Sequence, residues 1–199
     1  MRVLALLAAV AGIVPAEAPF EEWFTKRGVR VEIARVSPGP PWIRGTAEIG
    51  ASPDRIAQVV TDFGRYREIF APALKTARVL EGDRNRSRLH LVWPYPFPLR
   101  NRDAVVEYAS EEMPDGGWRI SWRDAARERD PREGVRISRV LGETRIEPLE
   151  GNRSLVTYAY LGDLGGKFPR SAEEKAWREQ PVQYVRALRR ALGLPDPVS

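Results

Sequence analysis

The chain has 199 residues, 43% of them hydrophobic, which is enough for one domain with a full core and leaves no need of a second. Its 32 basic and 27 acidic residues give a net charge of +5 that is spread along the chain, not gathered into an arm. That argues against a nucleic-acid partner and suits a transient attraction to an anionic membrane surface. Cysteine is absent, which excludes disulfides, thiolate metal sites, thiol nucleophiles and a lipidated cysteine anchor.

Met1 and Arg2 precede an almost wholly apolar run, Val3 to Val14, closed by Pro15-Ala16-Glu17-Ala18. This is the pattern of a signal peptide over residues 1–18, the apolar run being shorter than the about 20 residues that span a bilayer. Cleavage is expected after Ala16, with Ala18 the second option. The sequence thus predicts an exported protein, periplasmic or secreted, with residues 19–199 as a single domain.

Glu21 to Gly28 reads as a short helical lead-in with Trp23 and Phe24 on its buried side. Val29, Val31 and Ile33 then alternate with Arg30 and Glu32, Ser37-Pro38-Gly39-Pro40-Pro41 forces a reversal, and Trp42 to Ile49 returns as the second strand of a hairpin. Ser52-Pro53-Asp54 is a helix start, with a hydroxyl cap, proline at the first helical position and an acid in the first turn. The helix carries Ile56, Val59, Val60 and Phe63 on one face and ends at Gly64; a second short helix covers Tyr66 to Phe70. Strands follow at Leu74 to Leu80 and Arg86 to Trp93, joined by the turn Gly82-Asp83-Arg84-Asn85.

From Trp93 to Pro98 proline occupies every second position, which removes the donors of a ladder and predicts an extended segment outside the sheet. Arg102 and Asp103 come next and are expected to form a structural ion pair fixing the start of the strand Ala104 to Ala109. After the turn Met113 to Gly117, Trp118, Ile120 and Trp122 alternate with Arg119, Ser121 and Arg123, giving one aromatic face and one wet face. Asp124 to Gly134 reads as an exposed loop. Val135 to Leu141, Thr144 to Leu149 and Leu155 to Leu161 complete an antiparallel sheet, with a bulge at Gly142 and a tight turn at Glu150-Gly151-Asn152. The last element is a helix from Ser171 to Leu192, with Trp177, Val185, Leu188 and Leu192 at helical spacing and a kink expected at Pro181.

The predicted class is α+β. Three separated motifs carry a resemblance: the proline-rich segment with its Arg-Asp pair, the run Val60-Thr61-Asp62-Phe63-Gly64-Arg65-Tyr66, and Asp163-Leu164-Gly165-Gly166-Lys167-Phe168-Pro169 leading into a helix with Gln180-Pro181 and Leu188 to Leu192. Over residues 30 to 192 the chain resembles START-domain lipid carriers, as a bacterial exported member of the helix-grip (Bet v 1-like) superfamily. The resemblance implies a strongly curved antiparallel sheet around a long terminal helix, with two short helices after the first hairpin. It further implies a hydrophobic cavity between sheet and helix in which a lipid is held for transfer or sequestration. No cofactor, metal or catalytic residue is implied, and a monomer is expected. Some sterol-binding members carry an inward Arg on the strand after the Arg-Asp pair, and Ala104 to Ala109 has none, so sterol specificity does not carry over.

Alternation puts Val106, Trp122, Tyr158 and Tyr160 on the inner face of the sheet and helical spacing puts Trp177, Tyr184, Val185 and Leu188 opposite them. These are the candidate ligand-binding residues, and Arg145 is the charge that such a cavity could offer a headgroup. Removing roughly 400 Å² of apolar ligand surface from water is worth about 10 kcal/mol before ordering costs, so binding needs no covalent chemistry. Two alternatives remain in sequence terms: a helix-grip cyclase or hydrolase, which needs an acid-base pair inside the cavity, and a ubiquinone- or polyprenyl-binding relative. The sole histidine, His90, falls with Arg86 and Arg88 on the charged face of its strand, away from Leu89, Leu91 and Trp93.

Overall fold

In the computed structural model, which describes residues 14, 18–36, 38–166 and 168–197, the strands join into one curved sheet that holds the terminal helix against its inner face. The strands are β1 (Glu21–Lys26), β2 (Val29–Ala34), β3 (Trp42–Ile49), β4 (Thr76–Gly82), β5 (Arg86–Trp93), β6 (Arg102–Glu112), β7 (Trp118–Asp124), β8 (Val135–Arg136), β9 (Ser138–Leu149) and β10 (Arg153–Asp163). The helices are α1 (Pro53–Val60), α2 (Tyr66–Ile69) and α3 (Arg170–Ala191), with a single 3-10 turn at Phe63–Arg65. The signal-peptide reading over 1–18 lies outside the described residues except at Val14 and Ala18. Among the described residues no helix is long and apolar enough to cross a membrane.

The sheet runs β1-β2-β3-β10-β9-β7-β6-β5-β4, antiparallel throughout, with β8 lying parallel to the start of β6 where β7 no longer reaches it. The first hairpin docks on the last strand: β3 pairs β10 from Ile43 opposite Tyr160 to Ile49 opposite Ser154. Early and late chain therefore meet in mid-sheet, and the inner face presents a continuous apolar surface to the helices.

Local chemistry explains the helices. The Ser52 hydroxyl accepts from the Arg55 N–H at 3.4 Å, Pro53 sits in the first turn, and α1 buries Ile56, Ala57 and Val60. The second half of α3 buries Val182, Tyr184, Val185, Ala187 and Leu188, whereas no residue between 170 and 180 is fully buried. The helix continues through Pro181, which packs against β3 at Gly45. A Cβ on Gly45 would stand 2.4 Å from the Pro181 Cβ, so the glycine is what lets helix and sheet come this close.

Three local expectations are corrected. Glu21 to Gly28 is a strand and turn, because β1 finds backbone partners along β2 from Glu21 opposite Ile33 to Lys26 opposite Val29. Its two-residue turn uses Arg27 and Gly28 at φ of 52° and 66°, the conformation a tight hairpin needs. Gly142 marks no bulge: β9 pairs without interruption on both sides there, and a Cβ at this position would meet the Trp122 ring at 2.4 Å. The glycine makes room for an indole from the next strand. Finally, α1 stops at Val60, with Thr61 as its cap and the 3-10 turn taking up Phe63 and Gly64.

Candidate functional site

A cavity of about 80 Å³ lies between the inner face of the sheet and the first half of α3. Strand alternation brings Leu91 and Trp93 of β5, Val106 and Tyr108 of β6, Trp122 of β7, and Tyr158 and Tyr160 of β10 to its wall. The helix contributes Ala176, Trp177 and Gln180, spaced so that one face points down. No charged side chain lines it among the described residues.

The back of the cavity is a run of rings. Trp122 stacks on Tyr158 (centroids 5.4 Å apart), Tyr158 on Tyr184 (4.0 Å), and Tyr184 on Phe70 of the segment after α2 (5.3 Å). Burial pushes the phenols of Tyr158, Tyr160 and Tyr184 well above their ordinary range, and that of Tyr108 to about 12. These hydroxyls are therefore neutral hydrogen-bonding groups. Tyr184 shares a bond with Thr144 Oγ1 (2.8 Å), and Tyr66 donates toward Tyr108 (3.4 Å).

Two of the hydroxyls reach the helix. Pro181 has no N–H, so the carbonyl of Trp177, four residues earlier, lacks its helical donor. The Tyr160 hydroxyl donates to that carbonyl at 3.2 Å. Beside it, Gln180 Nε2 donates to the Tyr158 hydroxyl at 2.8 Å. The thinly buried first half of α3 is thus fastened to β10 at the proline.

At the mouth, the proline-rich segment leaves the sheet after Trp93 as expected, then closes a turn in which the Leu99 N–H donates to the Pro96 carbonyl. Tyr95 meets Phe168 edge-on at 5.1 Å, while Phe97 is 96% exposed. Arg102 and Asp103 do not pair with each other, because neighbours on a strand point to opposite faces. Arg102 turns inward and donates to the carbonyls of Leu164 (2.7 Å), Arg100 (2.5 Å) and Gly165 (3.2 Å), its guanidinium 4.6 Å from the Phe168 ring. Burial lowers its pKa from the usual arginine value. Asp103 turns outward, accepts from the Glu133 N–H (2.8 Å), and stands 3.1 Å from His90 Nε2 and 3.3 Å from Arg136 Nε.

The face read as charged is consequently not open to solvent at this point. His90, Asp103 and Arg88 are buried under the loop from 125 to 134, whose Asp130 accepts from Arg88 at 2.5 Å. A loop that is itself largely exposed covers a polar cluster on the side of the sheet opposite the cavity.

Of the candidate ligand-binding residues, Val106, Trp122, Tyr158, Tyr160 and Trp177 come together around the cavity. Tyr184 stands one ring behind it, and Val185 and Leu188 are buried further along α3 in the core. Arg145 is on the outer face, 3.7 Å from Glu147 and opposite Thr157 and Arg119 of the neighbouring strands, so it offers the cavity no charge. Trp93, Tyr95 and Gln180 were not among the candidates. Trp93 follows Leu89 and Leu91 in strict alternation and Gln180 stands three residues after Trp177, so both were within reach of the pattern.

The START domain sequence pattern matches residues 68–196. Rho GTPase-activating protein 7 of Rattus norvegicus is 25% identical over 156 residues, which is 75% of this chain but only 14% of that protein. The chain corresponds to a small part of that relative's length. The STAR-related lipid transfer protein from Xanthomonas axonopodis superposes with a TM-score of 0.77 at 24% identity, over 87% of this chain and 98% of that one. Human StAR-related lipid transfer protein 5 also gives 0.77, at 15% identity, over 88% and 86%.

Proposed function

This chain belongs to the START domain family, and from that premise we propose that it carries one hydrophobic molecule, a lipid, between the curved sheet and α3, for transfer or sequestration. The observation that carries this reading is the uncharged aromatic cavity beneath a half-helix fastened to β10 by two neutral hydrogen bonds. Pockets that take small molecules measure about 300–1,000 Å³, several times the 80 Å³ here, so loading requires the cavity to widen. Residues 170–180 are the part of the wall best suited to move, being thinly buried and set off from the rest of α3 by Pro181.

Acid-base work in this cavity would fall to tyrosines whose burial keeps them protonated, an arrangement suited to holding a ligand and poorly suited to abstracting protons. In this reading the protein is exported after loss of its leader, acts as a monomer, and meets membranes with its mouth, where Phe97 projects beside the exposed Arg100. N-terminal sequencing of the native protein tests export: a retained Met1 refutes it.

Native mass spectrometry with organic extraction, on protein isolated from its own host, tests the carrier reading. A lipid bound one to one supports it. An empty protein that also fails to bind lipids added in vitro refutes it.

A further inference from the structure

We infer, resting on the carrier reading, that the ligand is an uncharged lipid with a hydroxyl or carbonyl oxygen, and that Gln180 and the Tyr158 hydroxyl bind that oxygen.

The inward stripe of α3 through the cavity is Trp177, Gln180 and Tyr184, and core packing alone would ask for an apolar residue at 180. Gln180 instead offers two N–H donors and a carbonyl, of which one N–H is given to Tyr158. Tyr158 accepts that bond and keeps its own proton, which burial holds firmly in place. The pair therefore presents one O–H donor and one amide acceptor to the same small space. A ligand hydroxyl satisfies both at once, accepting from Tyr158 and donating to the Gln180 carbonyl; a ligand carbonyl satisfies the first.

Among the described residues an ionised headgroup has no partner inside. No charged residue lines the cavity among the described residues, and a buried unpaired charge carries a large desolvation penalty. Arg102, beside the mouth, is bound to three backbone carbonyls, two of them in the Leu164–Gly165 loop. The polar requirement is thus for one neutral oxygen.

Two matched ligand sets test this on the purified chain, read by quenching of tryptophan fluorescence with native mass spectrometry as a check. One is farnesene, farnesol and farnesyl phosphate; the other is octadecene, oleyl alcohol and oleate. In each set the alcohol is expected to bind at least tenfold more tightly than the anion. In Gln180→Leu the preference for alcohol over hydrocarbon should shrink about tenfold, hydrocarbon of the same set serving as the internal reference in each variant; Tyr158→Phe should act in the same direction. Anions binding as tightly as alcohols, or an unchanged alcohol preference in both variants, overturns the inference while leaving a lipid carrier standing. No binding by any member of either set overturns the carrier reading itself.

Discussion

Replacing Tyr160 with Phe tests whether the proline makes the first half of α3 a separately opening unit. The substitution keeps a buried ring and deletes only the hydroxyl that donates to the Trp177 carbonyl. That carbonyl has no other donor available from the helix, since position 181 is proline. Leaving a buried acceptor unsatisfied costs about 1–3 kcal/mol; Trp177 is only half-buried, which places the cost near the lower end, about 1 kcal/mol. At that cost the open population of residues 170–180 rises about fivefold. Hydrogen exchange read by mass spectrometry should show amides of this segment exchanging about fivefold faster, while those of 182–191, protected by core packing, keep their rates. Pro181→Ala restores an N–H and retains the Cβ that lies against Gly45. In that background Tyr160→Phe must cost less, and a double-mutant cycle measures the difference. Unchanged exchange in 170–180, equal acceleration in both halves, or strict additivity of the two substitutions would each refute the reasoning.

Val106→Trp places an indole where the cavity now is and is expected to abolish ligand binding, with a stability loss of about 1–3 kcal/mol from overpacking; normal binding would mean the inner face has been misassigned. Glu107, held by Arg86 and Arg123, has its pKa lowered to about 2, below an ordinary carboxyl of 4.5. Because the folded value is the depressed one, its contribution is complete above pH 4.5 and is lost as pH falls toward 2. Both arginines are largely exposed, so screening leaves it about 1 kcal/mol, and acid titration of Glu107→Gln should be flatter by that amount over this window. Asp103→Ala leaves the buried His90 and the half-buried Arg136 without their carboxylate, for an expected loss of about 3 kcal/mol in denaturant melts and faster proteolysis between 125 and 134. Phe97→Asp should weaken sedimentation with anionic vesicles without altering the melting temperature, since the ring touches little of the protein.

What could be read along the chain was whatever depends on local order. The cap at Ser52, the alternation that sends Trp118, Ile120 and Trp122 to one face, and the spacing of Trp177 and Leu188 are properties of neighbouring residues, and the structure keeps them. Most of what local order does not reveal depends on a distant partner. The segment Glu21 to Lys26 is a strand because β2 lies beside it, and Gly142 is there for a ring from β7. His90 is buried because a loop some forty residues on folds over it. Arg102 and Asp103 are a different case: alternation alone forbids adjacent strand residues from pairing, and that rule was at hand. The site was legible on its strands and less so on its helix, where Gln180 stands among the apolar residues of the inward stripe and is not singled out by their spacing.

The start of β6 is held from both faces, inward through Arg102 to the Leu164–Gly165 carbonyls and outward through Asp103 to the 125–134 loop and the residues around it. Shifting this strand end would break both sets together, while α3 is fastened at the cavity by two neutral bonds. Ligand traffic on this geometry passes on the helix side, and one consequence is kinetic. The Tyr160 bond to Trp177 fastens the half-helix itself, so weakening it is expected to speed both uptake and release. A Tyr160→Phe protein loses only a fastening bond and is expected to exchange its cargo faster in both directions, whereas a Gln180→Leu protein loses a fastening bond and a ligand contact together, so its release is expected to quicken more than its uptake.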